Sequence, residues 1–161
     1  MATERLWIMR HGEAGHGVPD AARRLTSRGE AEVQRMAAWL AEELSDAERL
    51  ALRIVASPFT RAQQSAALVA ETLGGELDTL DGITPDDAPM PVIDWLQANA
   101  GRPLLLVSHM PLVGDLTTCL VEGPRGRGLG FATAAVASLE ADVWAAGCAT
   151  LRGLTTPGEL G

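Results

Sequence analysis

Three short stretches of this sequence end in side chains that can hold or attack an anion. LWIMRHGE (residues 6–13) delivers Arg10 and His11 behind a nearly continuous apolar run, SPFTRAQQSA (57–66) carries Arg61, and LLLVSHMP (104–111) carries His109. A guanidinium makes paired hydrogen bonds to a phosphate through its planar fork. A neutral imidazole nitrogen can attack phosphorus and split one hydrolysis into two easier steps. Each residue taken alone has a plain structural reading. A histidine at a strand end is usually a partly buried hydrogen-bonding group. Arg61 falls in the first turn of an expected helix, where a cation is electrostatically out of place and hints at an anionic partner. The four together point to one shared site for a dianion, with phosphate as the natural guest.

Such a site needs elements that bring the four residues to one rim. Residues 5–10 read as a first strand, of the apolar kind that is covered on both faces. Residues 12–25 read as a loop. TSRGEAEVQRMAAWLAEEL reads as a helix with Val33, Met36, Ala37, Leu40 and Leu44 on one stripe. Ser27 and Glu30 have capping-box spacing, although Thr26 could be the cap instead. LRIVAS (52–57) is a second buried-type strand, followed by a helix with Ser57 as cap and Pro58 in its first turn, ending near Gly74-Gly75. Residues 76–90 read as a loop, and a short helix is expected around MPVIDWLQANA. RPLLLVSH (102–109) is a third strand, with Pro111 just inside the next helix and Leu112, Leu116 and Leu120 on its buried face. After a loop at 123–130, TAAVASLEA and VWAAGCATLRG read as two antiparallel strands with a turn near Asp142.

This alternation predicts an α/β sheet covered by helices on both faces. In an open α/β sheet, ligands bind outside the carboxyl ends of the strands. Parallel strands would therefore place Arg10, His11, Arg61 and His109 on one rim. Two helix starts, near residues 58 and 111, would add free N–H groups and partial positive charge.

The 161 residues suit one domain, 1–161, and 47% apolar composition suffices for an ordinary core. The net charge of −8 disfavours nucleic acid as a partner. All 13 basic residues are arginines, so each position is informative. Cys119 and Cys148 lack metal-ligand spacing and read as small buried hydrophobes in a reducing compartment. His16 could be imagined with His11 and His109 as a zinc site, but the glycine-rich stretch between His11 and His16 fixes no such geometry. No metal and no organic cofactor is expected. The first residues carry charge and too short an apolar run for a signal peptide, and no stretch could span a bilayer. A soluble cytoplasmic protein is expected, monomeric for want of any exposed helix stripe.

The three stretches resemble the motifs of the histidine phosphatase superfamily, which also includes the cofactor-dependent phosphoglycerate mutases. RHG, S-x-x-x-R-A-x-x-S-A and the strand ending in Ser-His occur in the family's order and spacing, from residue 5 to about 120. DAARRLTSRGEAE, SHMPLVGDL and GFATAAVASLEAD resemble the corresponding stretches of the SixA-type phosphohistidine phosphatases. Arg24 stands where those usually have Pro. The resemblance implies a phosphoglycerate-mutase-like three-layer αβα sandwich with a mostly parallel central sheet. Only about 48 residues separate Arg61 from His109, too few for the large helical insertion that roofs a mutase site. The pocket should be shallow and open, and admit a side chain presented on a folded protein.

By the same resemblance His11 is the nucleophile, held with one nitrogen free and the other donating to a backbone carbonyl. Arg10, Arg61 and His109 bind the phosphoryl oxygens, and Arg23 reaches the phosphate or the protein substrate. His109 would help most if protonated when the dianion binds. Glu13 reads as a loop hydrogen-bonder, and Ser57 and Ser108 as caps or backbone ligands. Many relatives place a general-acid Glu in the loop after the second helix, where this chain has LDGITPDDAP with Gly82 at the expected position. Asp81, Asp86 and Asp87 are the nearby candidates. A phosphoramidate nitrogen can be protonated from solvent before cleavage, so a weak acid favours phosphohistidine over phosphate esters. The implied partner is a phosphohistidine-bearing protein such as a histidine-containing phosphotransfer domain. The competing readings are a broad small-molecule phosphomonoesterase and a non-catalytic phospho-binding module.

Overall fold

The computed structural model describes residues 3–161. Its elements are β1 (Glu4–Arg10), α1 (Ser27–Glu43), α2 (Asp46–Ala51), β2 (Arg53–Ala56), α3 (Thr60–Leu73), β3 (Glu76–Thr79), α4 (Pro89–Ala98), β4 (Leu104–Ser108), α5 (Leu112–Glu122), β5 (Val136–Ala141) and β6 (Thr150–Thr155). Short 3₁₀ turns lie at Asp20–Ala22 and Pro157–Leu160. The six strands form one sheet in the order β3-β2-β4-β1-β5-β6. β1 to β4 pair in parallel, while β5 runs antiparallel to both β1 and β6.

The side-chain alternation of β1 divides the core into two layers. Leu6 and Ile8 pack with Leu104, Leu106 and the inner faces of α4 and α5. Trp7 and Met9 point the other way, into the layer made with α1 and α3. Successive strand side chains point to opposite faces, so a continuous apolar run is the signature of a strand buried on both sides. The result is the three-layer αβα sandwich that the alternation predicted.

Local differences from the sequence reading have physical causes. α2 went unread because six residues are too few to show a period, although Ser45 and Glu48 form a complete capping box. β3 is a polar edge strand, Glu-Leu-Asp-Thr, inside the stretch expected to be a loop. Thr26 caps α1, its Oγ1 accepting from the Gly29 N–H at 2.9 Å. α3 starts at Thr60, two residues beyond Pro58, and Ser57 Oγ accepts from the Phe59 N–H instead of capping a helix there. Pro111 caps α5 from outside. Only the end of VWAAGCATLRG is extended, since β6 begins at Thr150. Cys119 is buried as expected, but Cys148 is exposed.

Two glycines let α1 press against the loop behind the first motif. A β-carbon on Gly12 would lie 2.7 Å from Val33 Cγ2 and 2.9 Å from the Gly29 carbonyl oxygen. A β-carbon on Gly29 would run into the Glu13 carbonyl oxygen, which is backbone and cannot swing away. Gly29→Ala is therefore expected to destabilise the fold by about 1–3 kcal/mol, the usual cost of overpacking. The urea unfolding midpoint reads this, and an unchanged midpoint would mean that α1 does not bear on the loop.

Candidate active site

The rim at the carboxyl ends of β1, β2 and β4 gathers the predicted residues. Arg10 pairs with Ser108 in the β1–β4 register, and the His11 N–H donates to the Ser108 carbonyl at 2.9 Å. His11 and His109, one residue past each strand, thereby stand side by side with ring centroids 5.0 Å apart. Arg61 comes from the first turn of α3 and is buried. These residues line a cavity of about 330 Å³ together with Arg23 and the carboxylates Glu13 and Asp20. A larger groove of about 450 Å³ between α2 and the end of α3 is mostly apolar, and no histidine, cysteine or hydroxyl side chain lines it.

The hydrogen bonds define the state of each imidazole. His11 Nδ1 lies 2.6 Å from the Gly12 carbonyl oxygen, which can only accept, so Nδ1 carries the proton. Nε2 keeps its lone pair and accepts from Arg61 Nε at 3.3 Å. Burial lowers the His11 pKa to about 4, with Arg61, Arg10 and Arg23 adding to the shift and the Gly12 bond opposing it. His109 Nε2 lies 2.7 Å from Ser57 Oγ. Ser57 Oγ already accepts the Phe59 N–H, and its own proton has no other acceptor among the described residues. The network therefore assigns the Ser57 proton to His109 Nε2 and a proton to Nδ1, which is buried without a partner. Burial, then His11 and Arg61, lower the His109 pKa to about 3. In this structure His109 is neutral at ordinary pH, and the charge expected of it must be raised by the bound anion.

The arginines are held from behind. Arg10 Nη1 donates to the Phe131 carbonyl at 2.8 Å, and its buried Nε has no partner. Burial, and after it repulsion from Arg61, lowers the Arg10 pKa. Arg61 donates from Nη1 to the Asp20 carbonyl at 2.8 Å and from Nη2 to Asp20 Oδ2 at 3.2 Å. Arg23 donates to the Gly15 carbonyl at 2.7 Å and pairs with Asp20 Oδ1 at 3.0 Å. Ser65 Oγ accepts the Gly12 N–H at 3.0 Å and donates to the Arg61 carbonyl at 2.8 Å, tying α3 to the first motif.

Sequence reasoning missed Asp20, whose role depends on a loop folding back onto α3. The one signal was its place three residues before Arg23. The expected acids sit elsewhere: Asp81, Asp86 and Asp87 do not line the cavity, and the 80–87 loop contributes Pro85 instead. Asp87 Oδ2 accepts from the Thr84 N–H and hydroxyl, both at 2.7 Å. Glu13 is the loop hydrogen-bonder expected of it, accepting from Thr26 Oγ1 at 2.9 Å. Ser108 Oγ donates to the Ile83 carbonyl at 2.6 Å. His16 does not line the cavity, and among the described residues no group of three or more His, Cys, Asp or Glu could hold a metal ion. Among them, too, no helix is long and apolar enough to cross a membrane.

Two nearly neutral imidazoles beside three guanidiniums can bind a tetrahedral dianion and attack it. The profile of the histidine phosphatase superfamily (branch 1) matches residues 6–84. The phosphohistidine phosphatase SixA of Escherichia coli is 35% identical over 144 residues, 86% of each chain. The SixA homolog of Haemophilus influenzae is 37% identical over 120 residues, covering 69% of this chain and 73% of that one. This chain belongs to the histidine phosphatase superfamily. Within it the chain is of the SixA type: a solved SixA structure complexed with tungstate superimposes with a TM-score of 0.85 at 34% identity, over 98% of this chain and 99% of that one. It is a phosphatase, a hydrolase.

The histidines of this phosphatase make its stability depend on pH. Both have pKa values below the ordinary 6.5 in the fold. The unfolded chain therefore binds more protons than the folded one below pH 6.5, down to the depressed values of about 4 and about 3. Stability is fully present above that window and is lost as pH falls through it. Urea midpoints between pH 7 and pH 4 should fall with pH, and His109→Gln should flatten the fall. A flat wild-type profile would contradict the buried neutral imidazoles.

Proposed function

We propose that this phosphatase removes phosphate from phosphohistidine on a phosphorelay protein, through a phosphoryl intermediate on His11. The observation that carries the reading is the open cavity. Between α3 and β4 lie only β3, α4 and their connecting loops, and of these only Pro85 lines the cavity. A site without a roof admits an imidazole projecting from a folded domain. The names of the SixA relatives support the same substrate.

The substrate phosphoryl group settles over His11 Nε2, whose lone pair is directed by the Nδ1–H bond to Gly12. Arg10 Nε and His109 Nδ1, both buried without partners, donate to its oxygens, and Arg61 does so from α3. These donors are fixed before the reaction, so they stabilise developing charge without reorganising. The substrate ring takes a proton from solvent, attack by Nε2 breaks the P–N bond, and the electron pair stays on the departing nitrogen, so a neutral imidazole leaves. Water then attacks phospho-His11, giving inorganic phosphate and restoring the neutral ring. Arg23 lines the mouth and faces the incoming protein.

The test compares one phosphohistidine in two settings: on an intact phosphotransfer domain and as a short phosphohistidine peptide. The expected result is a kcat/KM at least about tenfold higher for the domain, equivalent to roughly 1.4 kcal/mol of docking. Equal values for both, with faster turnover of phosphate esters, would favour a small-molecule phosphomonoesterase instead.

A further inference from the structure

Arg61 presents its Nε–H and Nη2–H side by side, the edge of a guanidinium that can grip two oxygens of one phosphate. Here that edge is already taken. Nε donates to His11 Nε2 at 3.3 Å, and Nη2 donates to Asp20 Oδ2 at 3.2 Å. The other oxygen of the same carboxylate, Oδ1, pairs with Arg23 Nη1 at 3.0 Å. One carboxylate thus spans two of the three guanidiniums that line the cavity. Arg61 is buried, while the Asp20 side chain is 59% exposed at the mouth, where it can turn out into solvent. No other carboxylate pairs with a cavity arginine among the described residues, since Glu13 is bonded to Thr26 and faces Arg28.

Resting on the reading of this cavity as the phosphoryl site, we propose that Asp20 is a built-in competing anion that weakens the hold on phosphate. A phosphoryl group gripped by the Arg61 edge needs Nε and Nη2 at once. It must displace the Asp20 carboxylate, and in the same step it uncovers the lone pair of His11 Nε2. When inorganic phosphate departs, the carboxylate takes the donors back. Three guanidiniums around a small dianion would otherwise hold the product and stall the enzyme. The hydrogen bond from Arg23, and then Arg61, keep the Asp20 carboxyl below its usual pKa, so it competes as an anion. Its charge is felt as far as His109, where it opposes the lowering of the pKa. The Asp20 backbone carbonyl accepts separately from Arg61 Nη1 at 2.8 Å. The turn therefore stays in place while the carboxylate is displaced, and the tethered competitor returns at a high effective concentration.

The experiment measures the binding of inorganic phosphate by calorimetry in wild type, Asp20→Asn and Arg61→Ala. The Ki of phosphate against turnover of a phosphohistidine peptide is measured for wild type and Asp20→Asn. Asparagine keeps the shape of the side chain and removes its charge. The expected result is phosphate binding roughly three- to tenfold tighter in Asp20→Asn, the range opened by releasing two partly exposed ion pairs. The Ki should fall by the same factor. A side chain that only braced Arg61 would give the opposite sign. Unchanged or weaker phosphate binding by a folded Asp20→Asn would therefore overturn the proposal and leave Asp20 a positioning residue for Arg61. Circular dichroism checks the fold, and Asp20→Ala serves if the Asn variant unfolds. A phosphate affinity that Arg61→Ala leaves unchanged would instead refute the reading of this cavity as the phosphoryl site, a failure that the Asp20 variants cannot imitate.

Discussion

His11→Ala is expected to lower turnover by at least about 10⁴-fold, as for other covalent nucleophiles. No other imidazole or hydroxyl lining the site is free to replace the lost Nε2. His109 has committed its Nε2 to Ser57, and its Nδ1 carries a proton. Ser57 and Ser108 are buried, with their hydroxyls engaged by His109 and the Ile83 carbonyl. The fold should survive, because β1 is held by β4 and β5 on either side. Circular dichroism and a urea titration on the same preparation check this, and His11→Gln serves if the Ala variant unfolds. A well-folded variant that still turned over would sink the nucleophile assignment.

Arg61→Ala is the second large effect. The guanidinium touches His11 Nε2, the Asp20 carbonyl and the Asp20 carboxylate at once. Removing one donor aimed at a transition-state oxyanion costs about 10²–10³-fold in kcat, and this residue supplies more than one. Arg61→Lys should lose nearly as much, since a single ammonium cannot span these partners. The pH profile should move as well. Arg61 helps hold the His11 pKa down to about 4, so without it that pKa rises toward the ordinary value. His11 then protonates at higher pH, and the acid limb of kcat/KM shifts upward. A variant with an unmoved acid limb would show that the Arg61 charge has no part in setting the His11 pKa.

The parts of this molecule that were legible in the sequence are those with local causes. Three buried strands announced themselves as apolar runs, and Arg10, His11, Arg61 and His109 stood at or just beyond their ends. Once β1, β2 and β4 are parallel, their carboxyl ends share a rim, so placing the strands gathered the four residues. β3 escaped because a four-residue polar edge strand differs from a loop only in its pairing with β2. Asp20 escaped for a similar reason. In sequence it is one acid in a loop of Gly, Pro and Ala, and its meaning comes from Arg61, 41 positions away. Arg61 itself carried the hint, as a cation in the first turn of a helix. In this structure the anion that answers it is a carboxylate of the same chain. The expectation of an acid in the 81–87 loop came from relatives, and here that loop offers the cavity Pro85.

The central claim is tested most directly by phosphorus NMR on a phosphohistidine-bearing phosphotransfer domain, with a panel of phosphate esters in parallel and His11→Ala as blank. The account predicts fast loss of the P–N signal that depends on His11, with slow ester turnover. Fast ester turnover beside a persistent P–N signal would contradict it and make the natural substrate a small phosphate ester.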